Sequence, residues 1–115
     1  MVHPVRAAAL VVALIVVPLS QALAAGDARE GRQIAERWCS SCHMIGRGTR
    51  GGDAAPPFVA LASDPAKTES FLKNWISNPH PPMPNLNLSR QDVEDLSAYI
   101  RSLNPAEGRS LPHQN

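Results

Sequence analysis

Cys39-Ser40-Ser41-Cys42-His43 holds the residue types best suited to do chemistry in this chain. Two thiols three positions apart, followed at once by an imidazole, match the C-x-x-C-H pattern of a covalent haem attachment site. Two intervening residues let one turn of chain span the two vinyl groups of the porphyrin, where Cys39 and Cys42 would form thioether bonds. His43 would then lie under the ring as an iron ligand. Other chemistries suit these residues less well. A redox dithiol expects βαβ patterning nearby, and no strand pattern is found. A structural zinc site needs four ligands, commonly with a second Cys/His pair at short spacing. His3, His80 and His113 form no such pair. A Cys39–Cys42 disulfide would close too small a loop to stabilise much.

The second chemical feature is Asn78-Pro79-His80-Pro81-Pro82-Met83-Pro84-Asn85. Its prolines stiffen the segment, because each fixes φ and restrains the residue before it. A lone methionine is odd core filler there. A preorganised thioether, by contrast, could meet iron with little entropy lost, and Met/His ligation raises haem potential. Met83 is therefore the expected second axial ligand. His80 is its competitor, and at three residues' separation only one of the two can sit over the iron. An open or water-filled position is the remaining alternative. Met44 adjoins His43 and cannot reach the opposite face.

Helices must position these groups. Asp27 and Glu30 have the form of a capping box, opening a helix that runs to about Trp38. Gly31, Ile34, Ala35 and Trp38 share one face of it. Gly31 costs up to about 1 kcal/mol relative to Ala inside a helix, which close approach of another helix would explain. Residues 44–55 carry Gly46, Gly48, Gly51 and Gly52 with no apolar period, so they read as a loop. Arg47 and Arg50 on it are either partners for a haem propionate or simply solvated. A short helical turn is expected over Phe58–Leu61, and a carbonyl near Pro56 is a candidate acceptor for the second nitrogen of His43. Asp64-Pro65 or Thr68 opens the next helix, with Phe71, Leu72, Trp75 and Ile76 as a buried stripe. The Trp75 indole would be satisfied by a propionate or would be plain core. Ser89 caps a last helix reaching Leu103, with Asp92 at its third position and Val93, Leu96, Tyr99, Ile100 and Leu103 on its apolar face.

The first 24 residues have the layout of a secretory signal peptide: a basic start, an apolar run over Ala7–Val17 and an Ala22-Leu23-Ala24 site. Cleavage is expected after Ala24; an uncleaved anchor is the alternative, disfavoured by the short apolar run. Residues 25–106 then form one domain, and 107–115 a polar, disordered tail. Of 11 basic and 10 acidic side chains only Arg6 lies in the leader, leaving a formally neutral mature chain. That balance gives no reason to expect a nucleic acid or an anionic membrane as partner. A chain this small buries a modest core, so the haem-free protein is expected to fold poorly, the cofactor supplying apolar bulk.

From residue 27 to 104 the chain resembles small class I cytochromes c. The resemblance rests on Gly31 eight residues before Cys39, the Cys39–His43 motif, Pro56–Phe58, Trp75-Ile76-Ser77-Asn78-Pro79, Met83-Pro84 and Asp95–Ile100. It implies an all-α cytochrome c fold, three to four short helices wrapped around one covalently bound haem c per chain. It implies that the first and last helices cross near Gly31, Leu96 and Tyr99. It also implies His43 and Met83 as axial ligands and one-electron transfer in the periplasm. The expected partners are redox proteins: a dehydrogenase, an oxidase or a membrane respiratory complex, with the chain as free carrier or electron-transfer subunit rather than enzyme. Departures are Ala35, where many members carry an aromatic, the short Pro79–Met83 loop, and the presence of only two lysines, Lys67 and Lys73. A peroxidase-like enzyme or a small-ligand sensor would require a labile Met83. No distal His/Arg pair is evident for the first, and the surrounding prolines oppose the second.

Overall fold

Asp27 starts the first helix by accepting from the backbone N–H of Arg29 at 2.8 Å and of Glu30 at 3.4 Å. These contacts hold its carboxyl below its ordinary pKa, the Arg29 N–H foremost. The expected capping box forms only by half, since the Glu30 carboxylate turns to Gln33 instead. A computed structural model describes residues 25–78 and 80–107. The signal segment at 1–24, Pro79 and most of the C-terminal tail, 108–115, lie outside the described residues.

Helix α1 covers Ala28–Ile34. The chain then widens into a π-helical turn over Ala35–Cys39, closed by Ser40 N–H donating to Ala35 O at 3.1 Å. The expected regular helix to Trp38 is corrected here. The inserted residue shifts the helical register, which buries Cys39 at 6% exposure and leaves Trp38 at 52%. Ser40 Oγ donates to Glu36 O at 2.8 Å and satisfies a carbonyl near the widened turn.

Helix α2 spans Phe58–Ser63, two residues longer than expected, and α3 spans Glu69–Ser77. Of the two start signals, Thr68 is the cap of α3, accepting from Phe71 N–H at 3.2 Å. Asp64 instead organises the turn before it, accepting from Ala66 N–H at 2.9 Å. Helix α4, Arg90–Ser102, has the full capping box between Ser89 and Asp92. Among the described residues no strand forms; Met44–Gly51 and His80–Met83 make isolated antiparallel bridges.

The main contact is α1 against α4. A Cβ at Gly31 would stand 2.0 Å from Asp95 O and 2.8 Å from Tyr99 Cβ, so the two helices cross closer than any side chain allows. That is the reason for a glycine inside α1. Gly26 is equally tight, its added Cβ lying 2.1 Å from Glu94 O. Ala35, Ile45, Phe58, Leu72, Leu96, Tyr99, Ile100 and Leu103 join Cys39 in the core.

Two polar groups on α4 are buried, which the apolar pattern did not anticipate. Asp95 accepts from Asp27 N–H at 2.7 Å and from Gln91 Nε2 at 2.8 Å. Ser97 Oγ, fully covered, has no hydrogen-bond partner among the described residues. The stripe on α3 is only partly buried: Leu72 is covered, but Trp75 is 49% exposed. Helix α3 meets α4 through Leu72 and through Lys73, whose Nζ lies 2.6 Å from both Glu69 and Glu94. No described helix is long and apolar enough to cross a membrane.

Candidate haem site

The π-helical turn delivers the chain into the Cys39–His43 loop, which folds as a single turn. Cys42 N–H and His43 N–H both donate to Cys39 O, at 3.1 and 2.9 Å. Cys39 and Cys42 are not joined by a disulfide, so both sulfurs remain for other bonds. Cys39 is buried, and desolvation pushes its pKa up to about 11; Cys42 is exposed.

Residues 50–58 cradle the outer side of this loop. Gly52 N–H donates to Ser40 O at 2.7 Å, Ala55 N–H to Cys42 O at 2.9 Å and Phe58 N–H to Met44 O at 2.9 Å. The approach is so close that Gly52 has no room for a Cβ, which would stand 2.4 Å from Ser41 O. Gly51 takes φ +112°, in the left-handed region that favours glycine, against His43 O. These glycines read as ordinary loop from sequence. The adjacent pair at 51–52 was the available signal for close backbone approach.

His43 is oriented from its far side. Its Nδ1–H donates to Pro56 O at 2.7 Å, as the sequence suggested. A carbonyl can only accept, so Nδ1 is the donor in this bond, and in the neutral ring that leaves Nε2 as the nitrogen with the lone pair. The ring lies 5.2 Å from that of Phe58, which lies 6.4 Å from Tyr99. Tyr99 OH donates to Ile45 O at 2.7 Å. An aromatic column thus joins the histidine to α4.

Against known proteins, residues 26–100 match the family model described as cytochrome c oxidase, cbb3-type, subunit III. The chain belongs to the c-type cytochromes. Cytochrome c-552 of Bradyrhizobium diazoefficiens is 39% identical over 93 residues, covering 80% of this chain and 89% of that protein. Cytochrome c-554(547) of Halothiobacillus neapolitanus is 33% identical over 92 residues, covering 69% of this chain and 99% of that protein. No solved structure matches significantly. A c-type cytochrome carries covalently attached haem c and works by haem-based electron transfer, and the helical fold, with no strand among the described residues, agrees with the family.

The residues present fit that group. Two unpaired thiols stand beside an imidazole whose free nitrogen is fixed by an acceptor-only partner. Met83 would supply a neutral thioether, and the half-exposed rings of Trp38 and Trp75 would offer apolar surface. Among the described residues no group of three or more His, Cys, Asp or Glu side chains is placed to hold a metal ion. Each of the two arginines considered as propionate partners also makes a hydrogen bond to protein. Arg47 Nη2 donates to Ser102 O at 3.2 Å, and Arg50 Nη1 to Glu36 Oε1 at 3.1 Å. His80, the competitor for iron, lies with its ring 4.2 Å from that of Trp75 and its Nδ1 3.1 Å from Asn78 O.

Proposed function

We propose that the protein is a periplasmic one-electron carrier whose haem is bonded through Cys39 and Cys42 and axially ligated by His43 and Met83. The observation that carries this is the His43 orientation: Nδ1–H is committed to Pro56 O, so Nε2 is the nitrogen available to iron. Hydrogen bonding of that kind raises ligand basicity and fixes ring direction. On the other side, Met83 lies among prolines that limit its excursions. His80 is set against Trp75, which favours Met83 over it as the sixth ligand. Iron supplies the one-electron couple. With both faces taken there is no position for substrate, so electrons must pass through the haem edge to a redox protein.

Residues 1–24 support export by their charge, apolar run and Ala22-Leu23-Ala24 site. We infer that residues 25–106 are the working domain. A second reading is an electron-transfer subunit of a larger oxidoreductase, favoured by the oxidase-subunit description of the matching family. Co-purification with a membrane oxidase complex would support it over the free carrier.

The ligand set is tested by the absorption spectrum of the oxidised holo-protein beside Met83→Ala. A weak far-red sulfur-to-iron band is expected in the parent and not in the variant. A parent without that band that readily binds cyanide overturns the closed-site reading, and a peroxidase or sensor role would then lead.

A further inference from the structure

We infer that Trp75 and His80 form an aromatic clasp that positions the Met83 segment against α3, a role distinct from ligation. The inference rests on the reading of Met83 as a ligand. Four side chains form a continuous ladder. Lys67 Nζ lies 4.3 Å from the Phe71 ring centroid. Phe71 and Trp75 are stacked at 5.6 Å with planes 13° apart, one turn apart on α3. Trp75 and His80 follow at 4.2 Å and 37°.

The last contact crosses from the helix to the proline-rich segment, and there it reaches the methionine. His80 and Met83 are paired as an isolated antiparallel bridge, so whatever fixes the backbone of one fixes that of the other. His80 is further held by its Nδ1–H donating to Asn78 O at 3.1 Å. Trp75 is 49% exposed. Close aromatic pairs add stability beyond their buried area, and this pair spends that stability on the one segment that must hold a thioether in place. Prolines make the segment stiff but do not tell it where to lie; the stack does.

The test uses holo-protein and an external ligand competing for the sixth position. Imidazole titration of the oxidised parent, His80→Ala, Trp75→Ala and His80→Phe is followed by loss of the far-red band, with thermal melts read alongside. About tenfold tighter imidazole binding is expected in His80→Ala and Trp75→Ala. His80→Phe should stay near the parent, because it keeps a stacking ring but has no imidazole nitrogen. Parent-like imidazole affinity in His80→Ala, with the band present, overturns the clasp while leaving Met83 as ligand. If His80→Phe loosens the site as much as His80→Ala, stacking is not the cause and the clasp is again overturned. A parent lacking the band refutes the Met83 reading itself, a separate failure. Should Trp75→Ala fold poorly, the two His80 variants alone decide the matter.

Discussion

The two sides of the candidate site are built by different means. Around Cys39–His43 the backbone is held by other backbone: 52 to 40, 55 to 42 and 58 to 44, with glycines where the strands of chain nearly touch. Around Met83 the described hydrogen bonds are local, such as His80 to Asn78 and Asn87 N–H to Asn85 Oδ1 at 2.9 Å. Proline stiffness and an aromatic stack do the rest. The attachment side is overdetermined, so single losses there should be costly and cooperative. The methionine side is held by a few replaceable restraints. On the ligation proposed above, the lighter scaffolding would fall to the axial thioether, the weaker and more exchangeable attachment.

The largest expected effect comes from filling the tight approach. Gly52→Ala puts a Cβ 2.4 Å from Ser41 O, where only backbone can yield. A loss of about 3 kcal/mol or more is expected, lowering Tm by roughly 12–24 °C for a domain of this size. Tyr99→Phe should cost about 1–2 kcal/mol in the same melt, by leaving the Ile45 carbonyl buried without its donor. Pro84→Ala probes the other side. It should change global stability by less than about 1 kcal/mol, yet lower the temperature at which the far-red band disappears. If Pro84→Ala matches Gly52→Ala in global cost, the contrast between the sides is wrong.

The smallest effect belongs to the start of α4. Ser89 O–H and N–H hold the Asp92 carboxyl below its ordinary value of 3.8, the side-chain bond foremost. A depressed folded pKa means stability fully present above 3.8 and lost as pH falls through the folded value. Asp92→Asn should therefore cost about 0.5–1 kcal/mol near pH 7. The gap from the parent should close in melts taken below pH 3.8. A gap independent of pH would mean the carboxylate charge is not what caps the helix.

What could be read in advance was what neighbouring residues decide among themselves. Ser89 and Asp92 cap α4 because both partners lie within one turn. Cys39, Cys42 and His43 were legible as a unit for the same reason, and Gly31 because a glycine inside an amphipathic helix demands an explanation. The misses depend on distant chain. Periodicity carried α1 on to Trp38, but the π-helical turn answers to burial of Cys39 and shifts Trp38 outward. Trp75 reads as part of a buried stripe or as a propionate partner, and among the described residues it stands half-exposed on α3. Asp95 is buried with a donor from far away: Asp27, 68 residues earlier in the chain, donates to it.

That last contact defines how far the chain can be trimmed. Asp27 N–H is pinned to Asp95, and the backbone at Gly26 runs against Glu94. The first helical crossing is thus stitched shut ahead of α1 itself. Cutting after Ala24 leaves the stitch whole, whereas removing three more residues would undo it. A purification tag fused at the front should join ahead of Gly26 through small, pliant residues, because bulk at that position would pry apart the two ends of the fold.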